Sequence, residues 1–233
     1  MKKLTVLVAF FFSVLMFNGA SYAKANEGAE PLITDSVLES LTYKDFVKAD
    51  AILSEIEGFS ELSEEEKNKQ ASLVLTEIAE SKIDSHDSGL PTGPNLNSKE
   101  IELARQYPYN AVLAFAASEL ATARTAYFFA NPVADNGNAN AFKHASWNAF
   151  MSKKFGTVMA KQWGDAHENI TSGIERDMDL YNNEYGRNEY LRGTILDSEA
   201  EIETRILQKI ANGNLIRIIN NQLRNTDVTG RIR

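Results

Sequence analysis

The chain has 233 residues, of which 24% are charged and 43% apolar, with a formal net charge of −8 and no cysteine. The absence of cysteine excludes a disulfide scaffold, a Cys-ligated zinc protein and a thiol enzyme. The negative charge argues against a general nucleic-acid-binding or anionic-membrane-binding surface, because such surfaces normally need a basic face.

The first 25 residues have the pattern of a secretory signal peptide. Lys2 and Lys3 precede an uncharged apolar stretch over residues 4–17, and small-residue cleavage patterns end at Ala23 and Ala25. The apolar stretch is shorter than the roughly 20 residues that a membrane-spanning helix needs. We therefore expect residues 1–25 to be cleaved and the mature protein to be secreted, into the periplasm or the extracellular space, without a membrane span.

Apolar spacing and capping residues predict helices along the remaining chain. The predicted helices cover residues 42–58, 63–82, 99–106, 110–130, 141–155, 158–171, 174–185 and 198–211. Gly186 is expected to end the seventh of these, and residues 215–223 finish the fold. No segment shows sustained alternation of apolar and polar residues, so no sheet is predicted. The fold class is therefore all-α, a compact bundle of about seven or eight helices.

Paired capping residues support three of the predicted helix starts. In a capping box, two side chains satisfy backbone amides that the first helical turn leaves free. Ser63 with Glu66 and Ser198 with Glu201 are such pairs, and Thr42 with Asp45 resembles a helix start. Residues 84–98 are rich in Asp, Ser, Gly, Pro and Asn, which favours a domain boundary there. We predict an acidic N-terminal helical lobe and linker over residues 26–98 and a helical domain over residues 99–233.

A polar stripe marks the helix predicted over residues 141–155. Asn140, His144 and Asn148 follow one another at steps of four, which places them on one helical face beside aromatic residues. A partly buried histidine between two amides has a defined tautomer and suits acid–base chemistry. The alternative is that His144 is a hydrogen-bonded histidine of the core.

Two further polar groups follow on the next two predicted helices. His167 and Glu168 are adjacent, but the zinc motif H-E-x-x-H is excluded because position 171 is Thr. Asp179 and Asn183 are four residues apart and share a helical face. Two histidines with carboxylates would make a metal site or an acid–base pair, whereas surface and capping roles are the alternative for each group.

Three blocks of sequence in close order carry a family resemblance. Residues 141–147 read Ala-Phe-Lys-His-Ala-Ser-Trp, residues 166–168 read Ala-His-Glu, and residues 178–187 read Met-Asp-Leu-Tyr-Asn-Asn-Glu-Tyr-Gly-Arg. With these blocks, residues 138–187 resemble an all-helical domain of bacterial secreted and polymorphic-toxin-like proteins that has no assigned reaction. The family more often carries Arg at the position of Lys143. The resemblance implies that polar residues from all three helices belong to one site.

Two hypotheses for the function follow. The favoured one is a hydrolase that acts on a substrate in the extracellular or envelope space. Its catalytic candidates are His144, His167, Glu168 and Asp179; its substrate-binding candidates are Asn140, Lys143, Asn148 and Asn183; and the candidate ligands of a divalent metal cofactor are His144, His167 and Asp179. The alternative is a non-catalytic helical binding or structural module, in which the same polar network fixes helix packing. The bond that is attacked and the need for a metal stay open.

Overall fold

The computed structural model describes residues 32–84, 96–133 and 136–233. In chain order the helices are α1 (Asp35–Ser40), α2 (Tyr43–Ser54), α3 (Glu64–Asp84), α4 (Ser98–Gln106), α5 (Pro108–Phe128), α6 (Asn138–Phe155), α7 (Thr157–His167), α8 (Gly173–Arg192) and α9 (Glu199–Ala211), followed by strands β1 (Ile216–Ile219) and β2 (Gln222–Asn225). Short 3-10 helices cover Phe59–Glu61 and Glu168–Ile170. The predicted all-α class is confirmed. The predicted signal peptide lies outside the described residues, as does most of the predicted boundary at 84–98.

The predicted helices are all present among the described residues, and α1 is an additional one that the sequence analysis missed. Both predicted capping boxes form, and the predicted helix start at Thr42 is a capping box as well. The backbone amides of Thr42, Ser63 and Ser198 donate to the carboxylates of Asp45, Glu66 and Glu201 over 2.7, 2.9 and 2.7 Å. Local side-chain chemistry therefore fixes where these three helices begin.

The centre of the bundle is α6, which contacts α5, α7, α8 and α9. Every residue over 138–152 is buried except Lys143. The N-terminal helices α2 and α3 pack against α5, where Phe46 and Phe115 bring their ring centroids within 4.7 Å. Residues 31–233 form one compact unit. The domain boundary near residue 98 stays a prediction.

The expectation that Gly186 ends a helix is wrong, because α8 continues through it to Arg192. Gly186 is buried against α6, and a Cβ added to it would lie 1.9 Å from the carbonyl oxygen of Ala145. A glycine within a helix costs about 1 kcal/mol relative to alanine. Its value here is steric, since no other residue lets the two backbones approach so closely.

The expectation of no sheet is also wrong, since β1 and β2 form an antiparallel hairpin in which Ile216 pairs with Asn225. Asn220 and Asn221 connect the strands with positive φ values of 52° and 58°. Two central residues in this conformation make the turn that best matches the twist of a two-residue hairpin. Each strand has only four residues, which is too short for alternation to be recognised in the sequence.

Asparagine side chains attach the C-terminal segment to the bundle. The amide of Asn182 donates to the carbonyl of Ile216 at 2.9 Å and accepts from its backbone amide at 3.1 Å. Asn138, at the start of α6, donates to the carboxylate of Asp227 and to the carbonyl of Thr229, both at 2.9 Å. Both asparagines thus offer a donor and an acceptor, as a neighbouring strand would.

A search of the described helices for a membrane span finds none that combines the required length with the required apolar character.

We predict that Gly186→Ala destabilises the protein by about 3 kcal/mol or more, because the new methyl group would overlap the backbone of α6. Gly137→Ala is the matched control, since Gly137 has a negative φ and no atom lies within 4 Å of the added Cβ. Urea unfolding of both variants measures the effect. Equal free energies of unfolding for the two would contradict the close approach of α6 and α8.

Candidate functional site

The polar stripe of α6 faces a matching stripe on α8. Asn140 donates to Oδ1 of Asp179 at 3.0 Å, and Nδ1 of His144 lies 3.2 Å from Oδ1 of Asn183. The next pair continues the series, since Arg187 donates to Oδ1 of Asn148 at 2.6 Å. The two residues of each pair are 39 positions apart in the chain. The three pairs form what we call the ladder, and its constant offset shows that α6 and α8 run in the same direction.

Glu168 joins the ladder from the 3-10 helix that follows α7. Its Oε1 accepts a hydrogen bond from Nδ2 of Asn183 at 3.1 Å and lies 3.3 Å from Nδ1 of His144. The other oxygen accepts from the hydroxyl of Thr171 at 3.1 Å. Glu168 is 1% exposed. Both of its oxygens are therefore satisfied inside the protein, which a buried carboxylate requires.

The hydrogen-bond pattern indicates that Nδ1 of His144 is a donor. Nδ2 of Asn148 donates to Oδ1 of Asn183 at 2.7 Å, so this oxygen is an acceptor. Nδ1 of His144 faces that oxygen and the carboxylate of Glu168, and it must therefore carry a proton. Nε2 faces Oδ1 of Asp179 at 3.4 Å. A single proton between Nε2 and Oδ1 would complete this contact.

The two carboxylates beside His144 have opposite pKa shifts. Burial raises the pKa of Asp179 to about 6, and the charge of Glu168 adds to this increase, although the charge of His144 acts against it. Burial also acts to raise the pKa of Glu168, but the hydrogen bonds and charges of His144, His167 and Asn183 outweigh it and lower the pKa. Glu168 therefore stays ionised, whereas Asp179 changes its protonation near neutral pH. Such divergence between neighbouring carboxyls is a feature of acid–base sites.

His167 lies next to the ladder but has its own carboxylate partner. Its Nδ1 is 2.9 Å from Oε1 of Glu100, a residue of α4 that is 1% exposed. The same oxygen accepts a hydrogen bond from the hydroxyl of Tyr43 at 3.4 Å. The imidazole packs edge-on against Trp147 and has its ring centroid 6.4 Å from that of His144. Its side chain is one-third exposed, and Nε2 has no hydrogen bond to any described residue.

The pKa of His167 reflects this pairing. Burial acts to lower the pKa, but the hydrogen bond and charge of Glu100, together with the charge of Glu168, raise it above the ordinary value. Lys143 is partly exposed, and its charge lowers the pKa of both His167 and Asp179. Lys143 forms no hydrogen bond or ion pair with the described residues. It therefore contributes a cation at the edge of the site.

The residues that could together bind a metal differ from the set predicted from the sequence, which was His144, His167 and Asp179. Within the described residues, His144, Glu168 and Asp179 each offer one ligand atom, and these atoms lie within 4.8 Å of one another. His167, the remaining metal candidate, pairs with Glu100. Each nitrogen of His144 faces a different carboxylate, which is the arrangement of a hydrogen-bonded relay. A metal ion shared by all three residues would need one nitrogen to face both carboxylates.

Two residues of this region, Arg187 and Glu100, were not predicted from the sequence as site residues. Arg187 continues the four-residue spacing of Asp179 and Asn183, so the same reasoning that found those two could have found it. Glu100 had no such signal, because 67 positions separate it from His167 and it also serves the N-terminal cap of α4. Only the packing of α4 against α7 brings the carboxylate to the imidazole.

Comparison with known proteins finds one family model that matches part of the chain. A family model described as a domain of unknown function (DUF6973) matches residues 101–214. No curated protein and no solved structure matches the chain. The matched region contains the whole ladder together with Glu168 and His167. Glu100 and Tyr43 lie before it, so the hydrogen-bond partner of His167 and the tyrosine that donates to this partner come from outside the matched region.

We predict that Asp179 makes stability pH-dependent. Its pKa of about 6 in the folded state exceeds the unfolded value of 3.8, so the folded state binds the proton more tightly. The stability that the protonated carboxyl of Asp179 provides is fully present below the unfolded-state pKa of 3.8. It is lost as the pH rises through the folded-state pKa of about 6. Relative to the parent protein, Asp179→Asn should therefore gain about 2–3 kcal/mol between pH 4 and pH 7.5, because each pKa unit corresponds to about 1.4 kcal/mol.

Urea unfolding at several pH values measures this change. Asp177→Asn is the control, since Asp177 is an exposed carboxylate on the same helix. Parallel pH profiles for the two variants would show that Asp179 has no unusual pKa.

Proposed function

We propose that the protein is a hydrolase that uses Asp179, His144 and Glu168 as an acid–base relay. One observation carries the proposal: the two nitrogens of His144 face different carboxylates, at 3.3 Å to Glu168 and 3.4 Å to Asp179. The opposite pKa shifts of the two carboxyls support distinct roles for them. Glu168 holds the imidazole and stays charged, and Asp179 exchanges a proton near neutral pH.

In this proposal Asp179 is the general base that removes a proton from the attacking water. His144 stabilises the charged carboxylate through Nε2 and shares the proton, while the fixed anion of Glu168 stabilises the resulting imidazolium. Asn140 orients Asp179 through its hydrogen bond to Oδ1. Asn148 and Asn183 are fully buried and use their amides inside the ladder. They therefore act as positioning residues and do not bind substrate.

His167 is the general acid of the proposed reaction. Its raised pKa favours the protonated form, and Nε2 is available to donate a proton to the leaving group. Lys143 stands beside both His167 and Asp179, where its cation can bind an anionic or polar group of the substrate. The signal-peptide pattern of residues 1–25 and the resemblance to bacterial secreted and polymorphic-toxin-like proteins support a substrate in the envelope or extracellular space.

A specific observation favours the alternative of a non-catalytic module. The side chains of Asn140, His144, Asn148 and Asn183 are buried, and all of them have hydrogen-bond partners inside the protein. A satisfied buried network can fix the register of two helices without any chemistry. The two functions differ in what Asp179 contributes. A structural carboxylate stabilises the fold, whereas a catalytic one can be replaced with no loss of stability.

Hydrolysis of a panel of ester and phosphoester substrates, with and without EDTA, tests the proposed function. We expect hydrolysis that survives EDTA, and a loss of about 10²–10⁴ in kcat for Asp179→Asn, because the variant cannot accept a proton. Asp177→Asn should keep the parent activity. If Asp179→Asn unfolds more readily at pH 7.5 and no substrate is turned over, the alternative module is correct. Activity that EDTA abolishes would assign His144, Glu168 and Asp179 to a metal.

Glu100→Gln tests the role of His167. Glutamine can still cap α4 but removes the charge beside the imidazole, so the pKa of His167 should fall. We expect the alkaline limb of the kcat/KM profile to move down by about one pH unit, and the imidazole resonances of His167 to titrate lower by the same amount. Glu102→Gln, an exposed residue of the same helix, is the control. An unchanged alkaline limb would remove His167 from the reaction.

A further inference from the structure

A cavity lies away from the ladder, between the C-terminal end of α2, the 3-10 helix after it and the start of α5. Its volume is about 320 Å³, within the range of small-ligand sites. Asp50, Phe59 and Tyr109 provide its polar and aromatic walls, and Leu53 and Ile56 contribute apolar surface. The proposed hydrolase mechanism uses none of these residues.

Asp50 is a half-buried carboxylate in the wall of this cavity. It accepts no hydrogen bond and forms no ion pair with the rest of the described chain. Burial raises the pKa of Asp50, and the charge of Lys154 only partly offsets this effect. A carboxylate that is partly removed from water without a partner costs stability. A bound cation would remove that cost.

The aromatic walls favour a cation as well. The rings of Phe59 and Tyr109 meet edge to face, with their centroids 5.2 Å apart. In this arrangement the edge of one ring contacts the face of the other, so the faces of the first ring stay free of the second. The faces of aromatic rings attract cations. The hydroxyl of Tyr109 forms no hydrogen bond with a described residue, and the charges of Asp50 and Glu64 help to raise its pKa after burial.

The sequence around the cavity is strongly acidic. Residues 55–66 contain six glutamates and no lysine or arginine. A cleft surrounded by charge of one sign concentrates ligands of the opposite sign. The environment therefore matches a cation in charge, and the side chains of Leu53, Ile56 and Phe59 offer surface for its apolar groups.

We infer that this cavity binds a quaternary alkylammonium group of the choline type. The carboxylate of Asp50 would neutralise the charge, the aromatic rings would contact the methyl groups, and Leu53 and Ile56 would cover the apolar part.

Isothermal titration of the full chain with choline tests the inference. Its neutral isostere, 3,3-dimethyl-1-butanol, has the same shape without the charge. We expect choline to bind at least about tenfold more tightly than the isostere, and Asp50→Asn to weaken choline binding by about tenfold or more. Glu57→Gln is the matched control. It removes one negative charge from the same acidic segment, at a residue that does not line the cavity.

Equal binding of choline and its isostere would overturn the inference, as would equal losses for Asp50→Asn and Glu57→Gln, or no binding of choline. Titration with phosphatidylcholine vesicles then distinguishes two sources of the quaternary ammonium group, a lipid headgroup and a free ligand. Vesicle binding that free choline displaces assigns a lipid headgroup, and binding of choline alone assigns a free ligand. Both results support a quaternary ammonium site, and neither depends on the hydrolase proposal.

Discussion

The approach of α6 and α8 at Gly186 is the constraint on which the ladder depends. With no side chain at this position, the backbone of α8 can lie against the carbonyl of Ala145. At this separation the short side chains of Asn, Asp and His reach across in pairs. Longer side chains would be needed at a greater distance, and they would lose more conformational entropy on burial. The glycine therefore determines which residue types can form the site.

The repeated use of asparagine in the ladder has a physical reason. An asparagine amide offers both donors and an acceptor, so one residue can link a neighbour that donates a hydrogen bond to a neighbour that accepts one. Asn183 does this by accepting from Asn148 and donating to Glu168. The network consequently fixes the orientation of His144 without adding a charge. Arg187 closes one end, where burial lowers its pKa against the charges of Asp165 and Glu184. At the other end, His144 is the one described basic residue in ion-pair contact with Asp179, which leaves this carboxylate sensitive to pH.

Much of the fold could be predicted from the sequence, because the signals are local. Capping pairs lie three residues apart, and the polar stripes repeat every four residues. Prediction failed where the role of a residue is set by its contacts with a distant part of the chain. Gly186 has the local character of a helix stop, yet its role is set by Ala145 on another helix. Glu100 carries the local signature of a cap and meets His167 only after α4 and α7 have packed.

The candidate site was predicted to a similar extent and for the same reason. Spacing within α6 and within α8 identified the faces that meet, but it gave neither the pairing between them nor the partner of His167. The short hairpin was missed because its turn residues, Asn220 and Asn221, carry the signal and its strands do not. Turn chemistry was thus more informative than strand periodicity in this part of the chain.

The attachment of the hairpin has a consequence for processing of the chain. Asn182 points away from the ladder to the backbone of Ile216, while its neighbour Asn183 points into it. A protease that trimmed the C-terminal side back to residue 214 would leave all of the helices intact. It would nevertheless strip the buried amide of Asn182 of both partners and admit water behind the residue that orients His144. The orientation of His144 thus depends on the C-terminal segment, although no residue of that segment belongs to the ladder.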